Sequence, residues 1–298
     1  MRRVVKLAML GLAAGFTTAC DPETVVKTED IPTAGVRFIH AVPDTAAMDM
    51  RFIDMVENNA HFAIAYRANV VTANASPVST FVSYKPTRAG SRHFRIFMNG
   101  NCGTTSCDQS YASTVVKDTT VDLVAGRNYT ALLIGYANPT GPSRPAGAPT
   151  MRLVFQEENV PDPGTQVALR VINATEQAID VRYYPDGGTA PATATWAAIP
   201  AASISSYITA APGNYFYNVR AAGAGTNLVA TDARALLGAA ATTVAPGPFD
   251  AIPGTSVAGS AVTGIVFPRS VAGSQAPNVT TPSISFVWDR RPPRPAGI

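Results

Sequence analysis

Gly35 to Asp54 reads GVRFIHAVPDTAAMDMRFID, and Ala168 to Asp186 reads ALRVINATEQAIDVRYYPD. Laid together, Arg37 falls on Arg170, His40 on Asn173, Ala41 on Ala174, Asp49 on Asp180 and Arg51 on Arg182. The chain is built from two copies of one plan. In the first copy, Val36 to His40 is a short apolar strand and Pro43-Asp44 turns the chain. Met48, Met50 and Phe52 then line one face of the next strand by a period of two.

Working outward, Ser83-Tyr84 is followed by Gly90 and then RHFRIFM, and Ser206-Tyr207 by Gly213 and then NYFYNVR. A strand, a Pro/Gly turn and a strand make a hairpin, and the shared glycine predicts a turn position with positive φ. Ala112 to Val124 and Arg127 to Tyr136 read as strands around Ala125-Gly126. GRNYTALLIGY is apolar on nearly every residue past Tyr129, as a central strand requires. Arg152 to Glu157 closes the first half. The second ends with Ala261 to Phe267 and Ser283 to Trp288, the latter matching Leu153 to Phe155. Glu57 to Ser76 reads as irregular, apart from a strand over Ala63 to Asn69. No segment sustains a helical period, and the best candidate, Thr231 to Ala240, is short. The expected fold is all-β, with two tandem immunoglobulin-like antiparallel β-sandwiches following one another in the chain. Their bounds are 35–160 and 167–290, joined by a linker at 161–166 and followed by a proline-rich tail at 291–298.

The chain has 298 residues, 46% of them hydrophobic, enough for a core in each half. Charged residues are only 14%, against roughly 25% in an ordinary soluble domain. Net charge is +3 and no basic stripe interleaved with aromatics occurs, so nucleic acid is not the expected partner. Arg2, Arg3 and Lys6 precede a short apolar run, Leu7 to Phe16, and then Thr17-Thr18-Ala19-Cys20. That is the order of a secretory signal over 1–19; a membrane-spanning helix needs about 20 apolar residues. The cysteine at the cleavage point resembles the bacterial lipobox, in which it is acylated and becomes the mature N-terminus. Thr17 stands where leucine is usual. Acylation of Cys20 holds a protein to a membrane without spanning it, and polar residues 20–34 then read as a flexible tether. Two cysteines remain, Cys102 and Cys107 in NGNCGTTSCDQ. An exported pair around a short Gly/Thr/Ser loop is expected to form a disulfide at a hairpin tip.

The opening V-R-F-I-H-A-V-P-D-x-x-x-x-D, the Gly-turn-aromatic hairpin and the L-V-A-G-R-N-Y-T-A strand resemble a bacterial family known only as a domain of unknown function. The resemblance implies an exported or lipid-anchored tandem β-sandwich and brings no catalytic residues. It weakens in the second half, where Asn173 replaces His40, the Pro-Asp pair is missing and an Ala/Gly/Pro-rich insertion runs from Leu236 to Ser260.

Chemistry-bearing residues are sparse. Asp44, Asp49 and Asp54 offer oxygens suited to calcium, but lack the surrounding ladder of a calcium loop. Capping of the Pro43 turn by Asp44, and pairing of Asp49 with Arg37 or Arg51, are expected instead. His40, His61 and His93 lie on separate elements, so no metal site is expected. GTSVAG at Gly254 to Gly259 spaces its glycines wrongly for a serine nucleophile elbow, and no phosphate-binding glycine motif occurs. Tyr183-Tyr184, Trp196 and Tyr215-Phe216-Tyr217 could stack sugars if exposed, though alternate residues of a strand must face the core. The expectation is a non-catalytic cell-envelope lipoprotein without a cofactor, a structural or adhesive module for an envelope protein. A glycan binder using Tyr183, Tyr184 and Trp196 is the alternative, and a hydrolase with a site between the halves a remoter one.

Overall fold

The computed structural model describes residues 30–55, 61–73, 84–98, 114–242 and 250–294. Cys20 and its signal, and the Cys102 and Cys107 pair, lie outside the described residues. The first half carries β1 (Thr33–Ala41), β2 (Met48–Phe52), β3 (His61–Ile64), β4 (Val71–Thr72), β5 (Lys85–Arg88), β6 (Gly90–Met98), β7 (Val115–Leu123), β8 (Asn128–Ile134) and β9 (Arg152–Glu157). The second carries β10 (Val167–Asn173), β11 (Ile179–Pro185), β12 (Trp196–Ile199), β13 (Ser203–Ile204), β14 (Ile208–Ala210), β15 (Tyr215–Ala221), β16 (Ala233–Arg234), β17 (Ala261–Phe267) and β18 (Ser283–Arg290). The fold is all-β. Thr231 to Ala240 is not a helix; it contributes β16 and buries Ala235 and Leu236.

Each half is a sandwich of two sheets. In the first, β5-β1-β8-β9 faces β3-β2-β6-β7; in the second, β13-β10-β17-β18-β4 faces β12-β11-β15-β16. Most pairs are antiparallel, as expected, but β1 runs parallel to β8 and β10 parallel to β17. Parallel neighbours need long crossovers, and here the other sheet of the same sandwich supplies them.

Parallel strands are ordinarily covered on both faces, and these are. Val36 and Phe38 of β1, with Tyr129, Ala131 and Leu133 of β8, enter the core of the first sandwich. Ile39, Ala41, Leu132 and Ile134 point the other way, into a third core shared with Ile172, Ile265, Phe267 and Val287 of the second half. All seven residues of β10 and of β17 are buried. The molecule is thus four sheets deep with three apolar layers, the middle one joining the halves. The continuous apolar run after Tyr129 is the sequence trace of that double burial.

The first half also lends a strand to the second. β4, in a stretch expected to be irregular, pairs with β18, and Val71 enters the core of the second sandwich. The strand expected over Ala63 to Asn69 instead ends at Ile64. Asp49 and Asp180 repeat one device. Asp49 accepts a hydrogen bond from the Ala63 N–H (2.8 Å) and Asp180 from the Ala198 N–H (2.8 Å). Both alanines have positive φ and lie where β3 and β12 carry an extra residue opposite β2 and β11. The hairpins expected around Gly90 and Gly213 do not form: β5 pairs with β1 and β6 with β2 and β7, and β14 pairs with β10 and β15 with β11. Gly90, where the chain passes between sheets, has φ +111°, whereas Gly213 does not need positive φ; a Cβ there would lie 2.9 Å from the Tyr215 ring.

Candidate functional site

The period of two that sends Ile39 into the middle layer sends Arg37 there as well. Arg37 is fully buried between the halves. Its Nη2 donates to Thr130 Oγ1 (2.8 Å), Asp289 Oδ1 (2.8 Å) and Glu158 Oε1 (3.2 Å), and its Nη1 to the Trp288 carbonyl (3.0 Å). The repeat supplies the mirror arrangement. Arg170 donates from Nε to Thr263 Oγ1 (2.8 Å) and from Nη2 to Glu158 Oε2 (2.7 Å). The spacing from arginine to threonine is 93 residues in both copies. Each threonine donates to the carboxylate of its own half, Thr130 to Glu158 and Thr263 to Asp289. Each arginine lies over a tyrosine ring, Arg37 over Tyr84 at 4.7 Å and Arg170 over Tyr207 at 4.6 Å.

Burial opposes the charge on Arg37, but Tyr84, Asp289 and Glu158 outweigh it and raise its pKa. Burial likewise pushes the Asp289 carboxyl up, and Arg170, Arg37 and Thr263 together hold it below its ordinary value. Two cations and two anions, with side chains no more than 3% exposed, thus pair with one another across the two halves. The cluster is a weld between the halves.

An open site lies where the C-terminal ends of β8, β10 and β17 converge. A cleft of about 540 Å³ is lined by Tyr136 and Ser143 from the first half and Glu176, Arg269, Ser270 and Asn278 from the second. An adjoining hollow of about 280 Å³ shares Glu176, Pro268, Arg269 and Thr280 with it. Its walls are held from outside. The Pro268 carbonyl accepts from Tyr66 Oη (2.5 Å) and from the Arg67 guanidinium. Asp44 accepts from the Ala137 (2.9 Å) and Asn138 (3.0 Å) N–H groups and from Arg144 (3.1 Å). Capping of the Pro43 turn is the role expected of Asp44; the structure gives it the cleft loop to hold. Tyr136 donates to Glu176 Oε2 (3.1 Å), and burial, then Glu176, pushes its phenol up.

The aromatics singled out in the sequence mostly point inward. Trp196 is 7% exposed and belongs to the second core, where Tyr183 packs against it and stacks on Tyr215 at 4.1 Å. Tyr184, on the outer face, is 9% exposed, stacks with Phe216 and donates to Asp232. These three residues form no exposed platform for a sugar. Asp49 pairs with Arg51 (2.5 Å) rather than Arg37, and Asp54 lies 3.5 Å from Arg92. Among the described residues no three His, Cys, Asp or Glu side chains gather as a metal site. His40 is wholly buried and His93 meets Asp118 on the surface.

A family model described as a domain of unknown function (DUF4397) matches residues 34–184, just over half of the chain. The chain belongs to that family. The DUF4397 match does not stop at the linker; it continues through β10 and into β11. It therefore takes in Arg37, Thr130, Glu158 and Arg170 of the weld, and Tyr136, Ser143 and Glu176 of the cleft, but not Asp289, Thr263 or Arg269. No curated protein matches the chain.

Proposed function

We propose that the protein is a non-catalytic, lipid-anchored module of the bacterial cell envelope that binds a partner through the loop end of a welded double sandwich. The observation that carries the binding half of this reading is the cleft whose walls come from both halves and are pinned from behind. Rigid scaffolds place contact residues on such loops, and clefts between substructures are the usual seat of ligands. The cleft's carboxylate, Glu176, is already bonded to a phenol that holds its proton firmly. Glu176 is the one carboxylate among the described residues that line the cleft, and no histidine or second carboxylate joins it there, which favours binding over hydrolysis. The envelope half of the reading rests on the basic, apolar and cysteine order of residues 1–20.

Each half has its own test. Cys20→Ala is expected to move the protein from the membrane fraction to the soluble one; unchanged membrane association would remove the lipid anchor. A photo-crosslinking residue at Ser143, in the cleft, is expected to give an adduct in intact cells. The same residue at exposed Val115 on β7 should not. Equal labelling from both positions would count against the cleft as the contact.

A further inference from the structure

We infer that the cleft takes a zwitterionic ligand, a short peptide or free amino acid carrying both an ammonium and a carboxylate. This rests on the reading of the cleft as the binding site and names what it would hold. Glu176 and Arg269 line both the main cleft and the adjoining hollow. Among the described residues neither is in an ion pair, and they do not pair with each other. The hydrogen-bond partner of Glu176 among the described residues is the neutral Tyr136 hydroxyl, bound at Oε2, which leaves Oε1 to accept from an ammonium. Arg269 is exposed and follows Pro268, whose carbonyl is clamped by Tyr66 and Arg67. The backbone bearing the guanidinium is thus set before a ligand arrives, which lowers the ordering cost of binding.

Two opposite, separated and unspent charges in one cleft complement a ligand with both charges better than one with either alone. A polyanion such as a phosphate ester would meet one arginine and be repelled by Glu176. A neutral sugar would find no exposed aromatic face, since Tyr136 is buried. Ser143 and Asn278 supply neutral hydrogen-bonding groups of the kind a peptide backbone uses. The volume falls in the range of sites for small organic molecules, roughly 300–1,000 Å³.

The test is calorimetry on the full chain, extracted in detergent, with glycine, triglycine, N-acetyl-triglycine and triglycine amide. Triglycine or glycine is expected to bind, and the tighter of the two tells peptide from amino acid. Each cap should weaken triglycine binding about tenfold or more, the scale of a hydrogen bond to a charged group. In Glu176→Gln the loss on acetylation should disappear while the loss on amidation stays, and in Arg269→Gln the reverse. Failure of both uncapped ligands to bind, or equal binding of capped and uncapped triglycine, would overturn the inference. A Ser143 adduct from intact cells alongside either of those results would leave the binding module standing and remove only the zwitterion.

Discussion

Arg37→Ala is expected to destabilise the protein by about 3–5 kcal/mol, the scale for removing one partner of a buried ion pair. The reason lies in what stays behind. Asp289 and Glu158 have side chains that are 0% and 1% exposed, and each loses a guanidinium donor within 3.2 Å. Arg170 alone would then face two buried carboxylates. Water cannot solvate the excess charge unless the middle apolar layer opens. Asp289→Leu should be destabilising for the mirror reason, since it strands Arg37 beside a single carboxylate shared with Arg170. The pair Arg37→Met with Asp289→Leu leaves one cation and one anion, Arg170 and Glu158, still bonded at 2.7 Å. That double variant is expected to recover most of the loss, because apolar replacement of a whole buried pair is often neutral. Urea melts of the wild type, Arg37→Met, Asp289→Leu and the double variant close a double-mutant cycle. Strict additivity of the two single losses would sink this account, as would a loss under about 1 kcal/mol for Arg37→Ala, the scale of a solvated pair.

The aligned arginines are visible as a repeat in the amino-acid sequence, and so are the tyrosines stacked on them. Their role is not. Period-two reasoning assigns a charged residue in a strand to the wet face, and Arg37 alternates correctly with Val36 and Phe38. What contradicts the wet face is the apolar character of the other alternate positions, Ile39 and Ala41, with Leu132 and Ile134 on β8. Both faces of these strands are covered, so an arginine among them must be buried and must have anions. The anions come from the ends of the last strand in each half, where Ser283 to Trp288 aligns with Leu153 to Phe155 just short of Asp289 and Glu158. The cleft is less legible. Tyr136, Glu176 and Arg269 belong to three loops far apart in the chain, and only the packing of the two halves brings them together. β4 is not legible at all, since two residues of strand carry no period.

Below about pH 6.5 the protein is expected to lose stability through one residue, His40, by a total of about 3 kcal/mol once the pH reaches about 4. His40 is wholly buried at the end of β1. Its Nδ1 accepts from the Val42 N–H (3.2 Å), which sets the proton of the neutral ring on Nε2, facing the Ala46 carbonyl (3.1 Å) and Thr45 Oγ1 (3.3 Å). A second proton would set Nδ1–H against Val42 N–H inside the core. Burial lowers the pKa to about 4 from 6.5, more strongly than the Ala46 carbonyl and Asp44 raise it. Between those values the unfolded chain takes up a proton that the native protein refuses, so stability is whole above 6.5 and falls as pH drops through the window. The carboxylates that the fold holds below 3.8, such as Asp180 on the Ala198 and Gly223 N–H groups and Asp289 in the weld, titrate lower and do not produce this slope. The repeat provides the control. Asn173 fills the same place in β10, accepting from the Thr175 N–H (2.9 Å) and donating to the Gln177 carbonyl (2.8 Å), and it has no proton to gain. His40→Asn should therefore fold and should lose the slope between about pH 6.5 and pH 4 in urea melts. If the variant keeps the wild-type slope, the acid sensitivity lies elsewhere in the chain and His40 is not its source.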